Sequence, residues 1–142
     1  MKPVSQLLRS RAGTLWHVRP DDSVFTALQL LAQHEVGALV VMDGGRLVGI
    51  VSERDYTRKI ALQGRNSRDT PVVEIMTSQV LTVGPATPTR DCMALMSEKK
   101  IRHLPVVDGG TVLGMISIRD IMDDIIASHE QTIAQLENYI AT

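Results

Sequence analysis

The sequence predicts an α+β fold with α/β layering: two repeated β-α-β-β-α units packed with pseudo-twofold symmetry, followed by an extended C-terminal helix. Three observations predict it. The first is an internal duplication. Gly49-Ile50-Val51-Ser52-Glu53-Arg54-Asp55 returns as Gly114-Met115-Ile116-Ser117-Ile118-Arg119-Asp120, 65 residues later. The same offset carries Val41-Met42-Asp43-Gly44-Gly45 onto Val106-Val107-Asp108-Gly109-Gly110, and Val18-Arg19-Pro20 onto Val83-Gly84-Pro85. The second is that each copy alternates short apolar runs with segments of helical period. The third is size. At 142 residues the chain makes one ordinary domain or two very small ones. A copy of roughly 60 residues buries too little apolar surface to stand alone, so the copies must pack together.

Each copy reads the same way in order. A short helix or turn (3–8, then 71–76) leads into a small extended segment ending at Val18 or Val83. Pro3-Val4-Ser5-Gln6-Leu7-Leu8 aligns with Pro71-Val72-Val73-Glu74-Ile75-Met76 at an offset of 68, which places three extra residues near Arg11–Thr14. Asp22 and Thr87 are the expected N-caps, with Pro88 at the first helical position. The helix that follows carries Val24, Ala27, Leu28, Leu31 and Ala32 in copy one, and Cys92, Met93, Leu95 and Met96 in copy two. Strands are expected at Ala38–Met42 and Leu47–Val51, and again at His103–Val107 and Val112–Ile116. Asp43-Gly44-Gly45 and Asp108-Gly109-Gly110 are the tight turns between them. The last helix of each copy starts near Ser52 or Ser117. A linker with Gly64, Asn66, Ser67 and Asp69 occupies 61–71. The predicted domains are 1–66, 67–126 and a C-terminal helix extension at 127–142.

That extension continues past the repeat with Met122, Ile126, His129, Ile133, Leu136 and Ile140, spaced 4, 3, 4, 3 and 4. Such a narrow seam packs helix on helix. It either lies back on its own domain or pairs with a second subunit, and a homodimer is expected. Within the seam, His129 reads as a partly buried packing or hydrogen-bonded residue rather than a ligand group.

Composition removes several functions. Fifteen Lys and Arg against sixteen Asp and Glu give a net charge of -1, which opposes bulk-charge binding to nucleic acid. With Trp16, Phe25, Tyr56 and Tyr139 as the whole aromatic complement, a base-stacking surface has almost no material. No apolar run is long enough to span a membrane, and the opening residues have no signal-peptide core. A lone cysteine, Cys92, fits a reducing compartment. The expected location is cytoplasmic, with no membrane and no nucleic-acid partner.

No catalytic signature emerges. Cys92 falls among apolar helix residues and reads as a buried small hydrophobe. His17, His34, His103 and His129 lack metal-ligand spacing, so no metal is expected. No phosphate loop or dinucleotide fingerprint occurs. What stands out is Ser52-x-x-Asp55 and its repeat Ser117-x-x-Asp120. Each has a structural meaning as a helix-capping box. Each also has a functional one: a strand end feeding a helix N-terminus presents backbone N–H groups, and the aspartate one turn on can accept both hydroxyls of a ribose. Arg54, Arg58 and Lys59 in copy one, and Arg119, Arg102 and His103 in copy two, stand close enough in sequence to add positive charge.

These residues resemble a tandem pair of CBS (cystathionine beta-synthase) domains, a Bateman module, over residues 3–126. The resemblance rests on the two Gly-to-Asp motifs above and on Ile101-Arg102-His103-Leu104-Pro105-Val106-Val107-Asp108 between them. Ser52 to Ile60, Gln63-Gly64-Arg65 and Leu136 to Ile140 further resemble stand-alone bacterial members and their plant organellar relatives. The resemblance implies two clefts between the copies, association into a flat dimer, and binding of AMP, ADP, ATP, NAD or S-adenosylmethionine. It places ribose hydroxyls on Asp55 or Asp120, with Ser52 or Ser117 assisting. Around Asp120 it implies His17, Val18, Pro20, Arg102, His103, Leu104 and Pro105. Around Asp55 it implies Thr82, Val83 and Pro85, with Val36, Gly37, Ala38 and Leu39.

Copy two has Arg102 and His103 where copy one has Gly37 and Ala38. A donor pair neutralises a phosphate, so the Asp120 cleft is the first expected to be occupied, with Arg119 as a further contact. The expected function is a non-enzymatic sensor. It binds an adenosine-containing ligand and passes a change of shape to a regulated protein whose identity the sequence does not give. The alternative is a structural or adaptor protein with unoccupied clefts.

Overall fold

The computed structural model describes residues 2–9 and 15–141. The expected insertion at Arg11–Thr14 lies outside the described residues. The elements run α1 (Val4–Arg9), β1 (His17–Val18), α2 (Val24–His34), β2 (Ala38–Asp43), β3 (Arg46–Ser52) and α3 (Glu53–Tyr56). A π-helical turn, Thr57–Ala61, extends α3, and a 3-10 turn, Val72–Glu74, opens the second half. Then come α4 (Thr89–Lys99), β4 (His103–Asp108), β5 (Thr111–Ser117) and α5 (Ile118–Ala141). This is the α+β arrangement of two repeats and a long final helix.

The hairpins are near copies. β2 pairs antiparallel with β3, Ala38 facing Ser52, with a register shift after Val41. β4 and β5 repeat this, His103 facing Ser117, with the shift after Val106. Both turn on paired glycines with positive φ, at 57° and 81° for Gly44 and Gly45, and 57° and 83° for Gly109 and Gly110. Two successive left-handed residues give the turn whose twist matches the strands it joins. β1 adds to β2 in parallel, Val18 facing Val41. In the second half that contact shrinks to one bridge, Val83 to Val106. Pro105 stands there in place of Val40, and proline has no N–H to donate to the neighbouring segment.

Helices α2 and α4 bury equivalent positions: Val24, Ala27 and Leu31 in one, Thr89, Cys92 and Met96 in the other. Their caps sit one residue later than the sequence implied. Ser23 caps α2, accepting from Thr26 N, and Pro88 takes the cap position of α4. Asp22 and Thr87 instead close the preceding turns. Asp22 Oδ2 accepts from Arg19 N at 2.8 Å, and Thr87 Oγ1 from Gly84 N at 3.1 Å. Each helix ends on a left-handed residue that is not glycine: Glu35 at φ 53° and Lys100 at φ 56°.

The lead-ins are exchanged between halves. Val72 and Ile75 sit in the first core, with Val18, Val24, Leu39, Val41 and Val51. Val4 and Leu7 of α1 sit in the second core, with Cys92, Leu104, Val106 and Ile116. Backbone hydrogen bonds fix the exchange. Val72 N donates to Asp22 O and Val24 N to Thr70 O, both at 2.8 Å; Val4 N donates to Thr87 O at 2.9 Å and Thr89 N to Lys2 O at 3.0 Å. Each core therefore draws on both halves of the sequence.

Two glycines make the exchange fit. A Cβ on Gly49 would lie 2.6 Å from Met76 Sδ and 3.0 Å from Thr77 O, and one on Gly114 would lie 2.9 Å from Leu8 Cδ2. A side chain at Gly49 would press on the Thr77 backbone of the exchanged segment, while one at Gly114 would displace the end of the Leu8 side chain.

The start of α5 packs on the second core through Ile121 and Ile125. Its later seam does not. Met122, Ile126, Ile133, Leu136 and Ile140 are 51% to 82% exposed. His129 is exposed as well, so within one chain it is not the partly buried packing residue expected.

Candidate functional site

Two cavities lie where the starts of β2 and β4 approach each other, of about 310 Å³ and about 390 Å³. Both fall within the range of small-molecule sites. The repeat offset exchanges their linings. The first is lined by Trp16, Val36, Gly37, Met115, Ser117 and Asp120. The second is lined by the equivalents Leu81, Ile101, Arg102, Ile50, Ser52 and Asp55.

Each cavity closes over a strand end that turns into a helix. In the Asp55 cavity, Ser52 N and Oγ both donate to Asp55 Oδ2, at 2.9 and 3.1 Å, and Asp55 N donates back to Ser52 Oγ at 3.2 Å. In the Asp120 cavity, Ser117 N donates to Asp120 Oδ2 at 2.8 Å and Asp120 N to Ser117 Oγ at 3.1 Å. Glu53 N donates to Gly37 O at 3.0 Å, and Ile118 N to Arg102 O at 2.9 Å. Six of the amides expected at open helix ends are thus already engaged. The side chains are left as the main groups facing a ligand.

Around this shared frame the halves differ in charge. Asp55 Oδ1 lies 3.3 Å from Lys59 Nζ, which also donates to Ile75 O at 2.8 Å. One turn past Asp120 the equivalent residue is Asp124, paired with Lys2 at 2.6 Å. Arg54 Nη1 donates to Lys100 O at 3.3 Å, bridging the helix start of one copy to the helix end of the other. Trp16 stacks on His34, ring centres 4.4 Å apart.

Several implied residues do meet. Ser117, Asp120, Arg102, His103 and Arg119 line one cavity, and Ser52, Asp55, Arg54 and Arg58 the other. Several do not. His17, Val18, Pro20, Leu104 and Pro105 lie outside the lining of the Asp120 cavity, and Thr82, Val83 and Pro85 outside that of the Asp55 cavity. Val18, Leu104 and Pro105 are buried within the sheets. The segments that do reach the cavities lie just earlier in the chain, Leu15 and Trp16 in one half, Val80 and Leu81 in the other. The lone tryptophan, one residue before a strand, was the signal for them.

Val36 and Ala38 face Asp120, not Asp55, while Leu39 is core. Gly37, Arg102 and His103 line both cavities. A Cβ at Gly37 would lie 3.3 Å from His103 Cε1, so the imidazole sits against that backbone on the partition. The argument that Arg102 and His103 belong to the Asp120 cleft alone therefore falls, and with it the ground for ranking that cleft first.

Nothing resembles a catalytic centre among the described residues. Burial pushes the Cys92 thiol up, and the neighbouring Asp91 charge pushes it further, so it is a poor nucleophile. No group of His, Cys, Asp and Glu among the described residues could hold a metal ion, and no described helix is long and apolar enough to cross a membrane.

The CBS domain family profile matches residues 13–62 and 72–127. The chain belongs to the CBS domain family. It is similar to the mitochondrial CBS domain-containing protein CBSX3 of Arabidopsis thaliana, 39% identical over 96% of this chain and 71% of that one. Among solved structures it is similar to a CBS-domain protein from Burkholderia ambifaria MC40-6. That match has a TM-score of 0.85 and 46% identity over 89% of this chain and 95% of that one. Two similar structures hold ligands. The CBS domain pair of MJ0100, in complex with 5′-methylthioadenosine and S-adenosyl-L-methionine, has a TM-score of 0.80 and 25% identity over 90% of this chain and 98% of that one. The CBS domain protein PAE2072 from Pyrobaculum aerophilum, complexed with AMP, has a TM-score of 0.75 and 29% identity over 83% and 88%. A CBS domain pair is typically a non-catalytic regulatory module with a nucleotide-binding fold, and this chain has that architecture.

Proposed function

We propose that this CBS pair is a sensor that binds an adenosine-containing ligand (AMP, ADP, ATP, NAD or S-adenosylmethionine) in its two cavities and transmits occupancy to a regulated protein. The observation that carries this is the pair of cavities related by the repeat, each closing over a Ser-x-x-Asp helix start. Asp120 and Asp55 accept ribose hydroxyls. Ser117 and Ser52 assist, and Arg102, His103, Arg119 and Arg54 neutralise phosphate. The ligand complexes of MJ0100 and PAE2072 support the ligand class. Because each cavity is lined by both copies, a bound ligand ties them together. It shifts the protein's shape only by as much as it binds one arrangement better than another.

The exposed seam of α5 supports a homodimer as the signalling unit. Written as heptads, Ile126, Ile133 and Ile140 take position a, and Met122, His129 and Leu136 position d. This pattern suits two parallel strands. Asp123, Glu130 and Glu137 then take position e. Parallel pairing sets them opposite Ile118, Ile125 and Thr132, whereas antiparallel pairing would set acid against acid.

Native mass spectrometry of the full chain with AMP, ATP, NAD and S-adenosylmethionine tests both parts. The expected result is a dimer carrying an adenosine ligand, lost stepwise in Asp120→Ala and Asp55→Ala. A protein that takes up none of the four, by mass or by titration heat, returns the clefts to the structural or adaptor reading.

A further inference from the structure

The two cavities share Arg102 and His103, so those residues cannot distinguish them. What remains unshared does. The Asp55 cavity keeps Arg54, Arg58 and Lys100 against the carboxylates Glu53 and Asp55. Among the described residues, the Asp120 cavity keeps Arg119 alone against Glu35 and Asp120. The largest single reversal is at Glu35 and Lys100, equivalent under the repeat and each facing its own cavity. Both are exposed, and both hold the same left-handed backbone, at φ 53° and 56°. One site is therefore written twice with opposite sign. The apolar walls differ in the complementary sense. Leu8, Leu15, Trp16, Leu113 and Ile118 line the Asp120 cavity, where an adenosine with little charge is held by contact area rather than by cations.

Building on the nucleoside reading above, we propose that Glu35 and Lys100 sort adenosine ligands between the cavities by charge. Nucleoside di- and triphosphates enter the Asp55 cavity. Adenosine derivatives without a phosphate chain enter the Asp120 cavity. Lys100 and Arg58 attract each added phosphate, whereas Glu35 repels it. An excess of one sign of charge around a cleft acts on every charged ligand that enters it.

Titration calorimetry of the full chain with ATP and with 5′-methylthioadenosine tests the assignment, with Asp55→Ala and Asp120→Ala identifying each site. ATP binding is expected to vanish in Asp55→Ala and persist in Asp120→Ala, with the reverse for 5′-methylthioadenosine. Reversing one charge at roughly 10 Å changes affinity about tenfold. Lys100→Glu therefore weakens ATP by about that factor, and Glu35→Lys opens a second ATP site of measurable strength. 5′-Methylthioadenosine should change less than about twofold in either variant, because it carries no charge to respond. The exposure and shared backbone of the two positions keep folding out of the result. ATP lost in Asp120→Ala but indifferent to Lys100→Glu overturns the sorting while leaving nucleoside binding intact. No heat from either ligand overturns the nucleoside reading itself, and the sorting with it.

Discussion

The two halves of this protein have the same hairpins, the same cap geometry and the same cavity plan, yet they are not interchangeable. The first core is closed by Val72 and Ile75 through a 3-10 turn; the second is closed by Val4 and Leu7 through a short α-helix. The first keeps Val24 where the second has Thr89, and Lys59 where the second has Asp124. The difference teaches what the fold requires and what it leaves free. Hairpin turn, buried helix stripe and the capping serine and aspartate are held in both halves, since each fixes backbone geometry. At the cavity rims Glu35 and Lys100 differ in sign between halves, since both are exposed and touch little of the core.

The sharpest way to break the comparison is at the exchanged segments. Ile75 is fully buried in the first core although it lies in the second half of the sequence. Ile75→Ala should cost about 2–5 kcal/mol, the range for emptying a buried branched side chain. Urea unfolding followed at Trp16, beside that core, should shift by the same amount as unfolding followed by far-ultraviolet circular dichroism. Separate shifts would mean that the halves unfold independently.

A smaller effect separates the two sheet-backed glycines. Gly49→Ala meets Met76 Sδ at 2.6 Å and the fixed carbonyl of Thr77 at 3.0 Å, whereas Gly114→Ala meets only the far end of Leu8 at 2.9 Å. Overpacking of this kind costs about 1–3 kcal/mol, and Gly49→Ala should fall at the upper end with Gly114→Ala below it. Thermal melts of the two variants, run side by side, check the order.

The smallest effect makes the halves more alike. Thr89 is fully buried, and its hydroxyl has no hydrogen-bond partner among the described residues. The first half has Val24 at that place, also fully buried. Thr89→Val should stabilise the protein by about 1 kcal/mol, because it removes a buried polar atom that gains nothing in exchange. A melt at or below the wild-type temperature would show that the hydroxyl is satisfied in solution.

Much of this was legible in the chain. The duplication, the Gly-Gly hairpins and the placement of both Ser-x-x-Asp motifs at helix starts follow from patterns that a fixed offset repeats. The exchange of lead-ins was not. A run such as Val4 to Arg9 has apolar side chains to bury but nothing local to say in which core, and sequence adjacency pointed to the wrong one. The cavity rims were legible only in part for a related reason. Val18 and Val83 lie where the strand pairs and so turn inward, while Trp16 and Leu81, two residues earlier, remain at the rim. The sharing of Arg102 and His103 depends on how the halves face each other, which no feature within one copy encodes.

The crossed lead-ins also impose an order on synthesis. When the first half has left the ribosome, Val4 and Leu7 have no core to enter, because β4 and β5 do not yet exist. The first core in turn waits for Val72 and Ile75. Neither half can finish before part of the other is made, so the nascent chain carries an unfinished apolar surface until nearly its whole length has emerged. Dividing the gene at the repeat boundary would then yield two fragments that complete each other only when mixed.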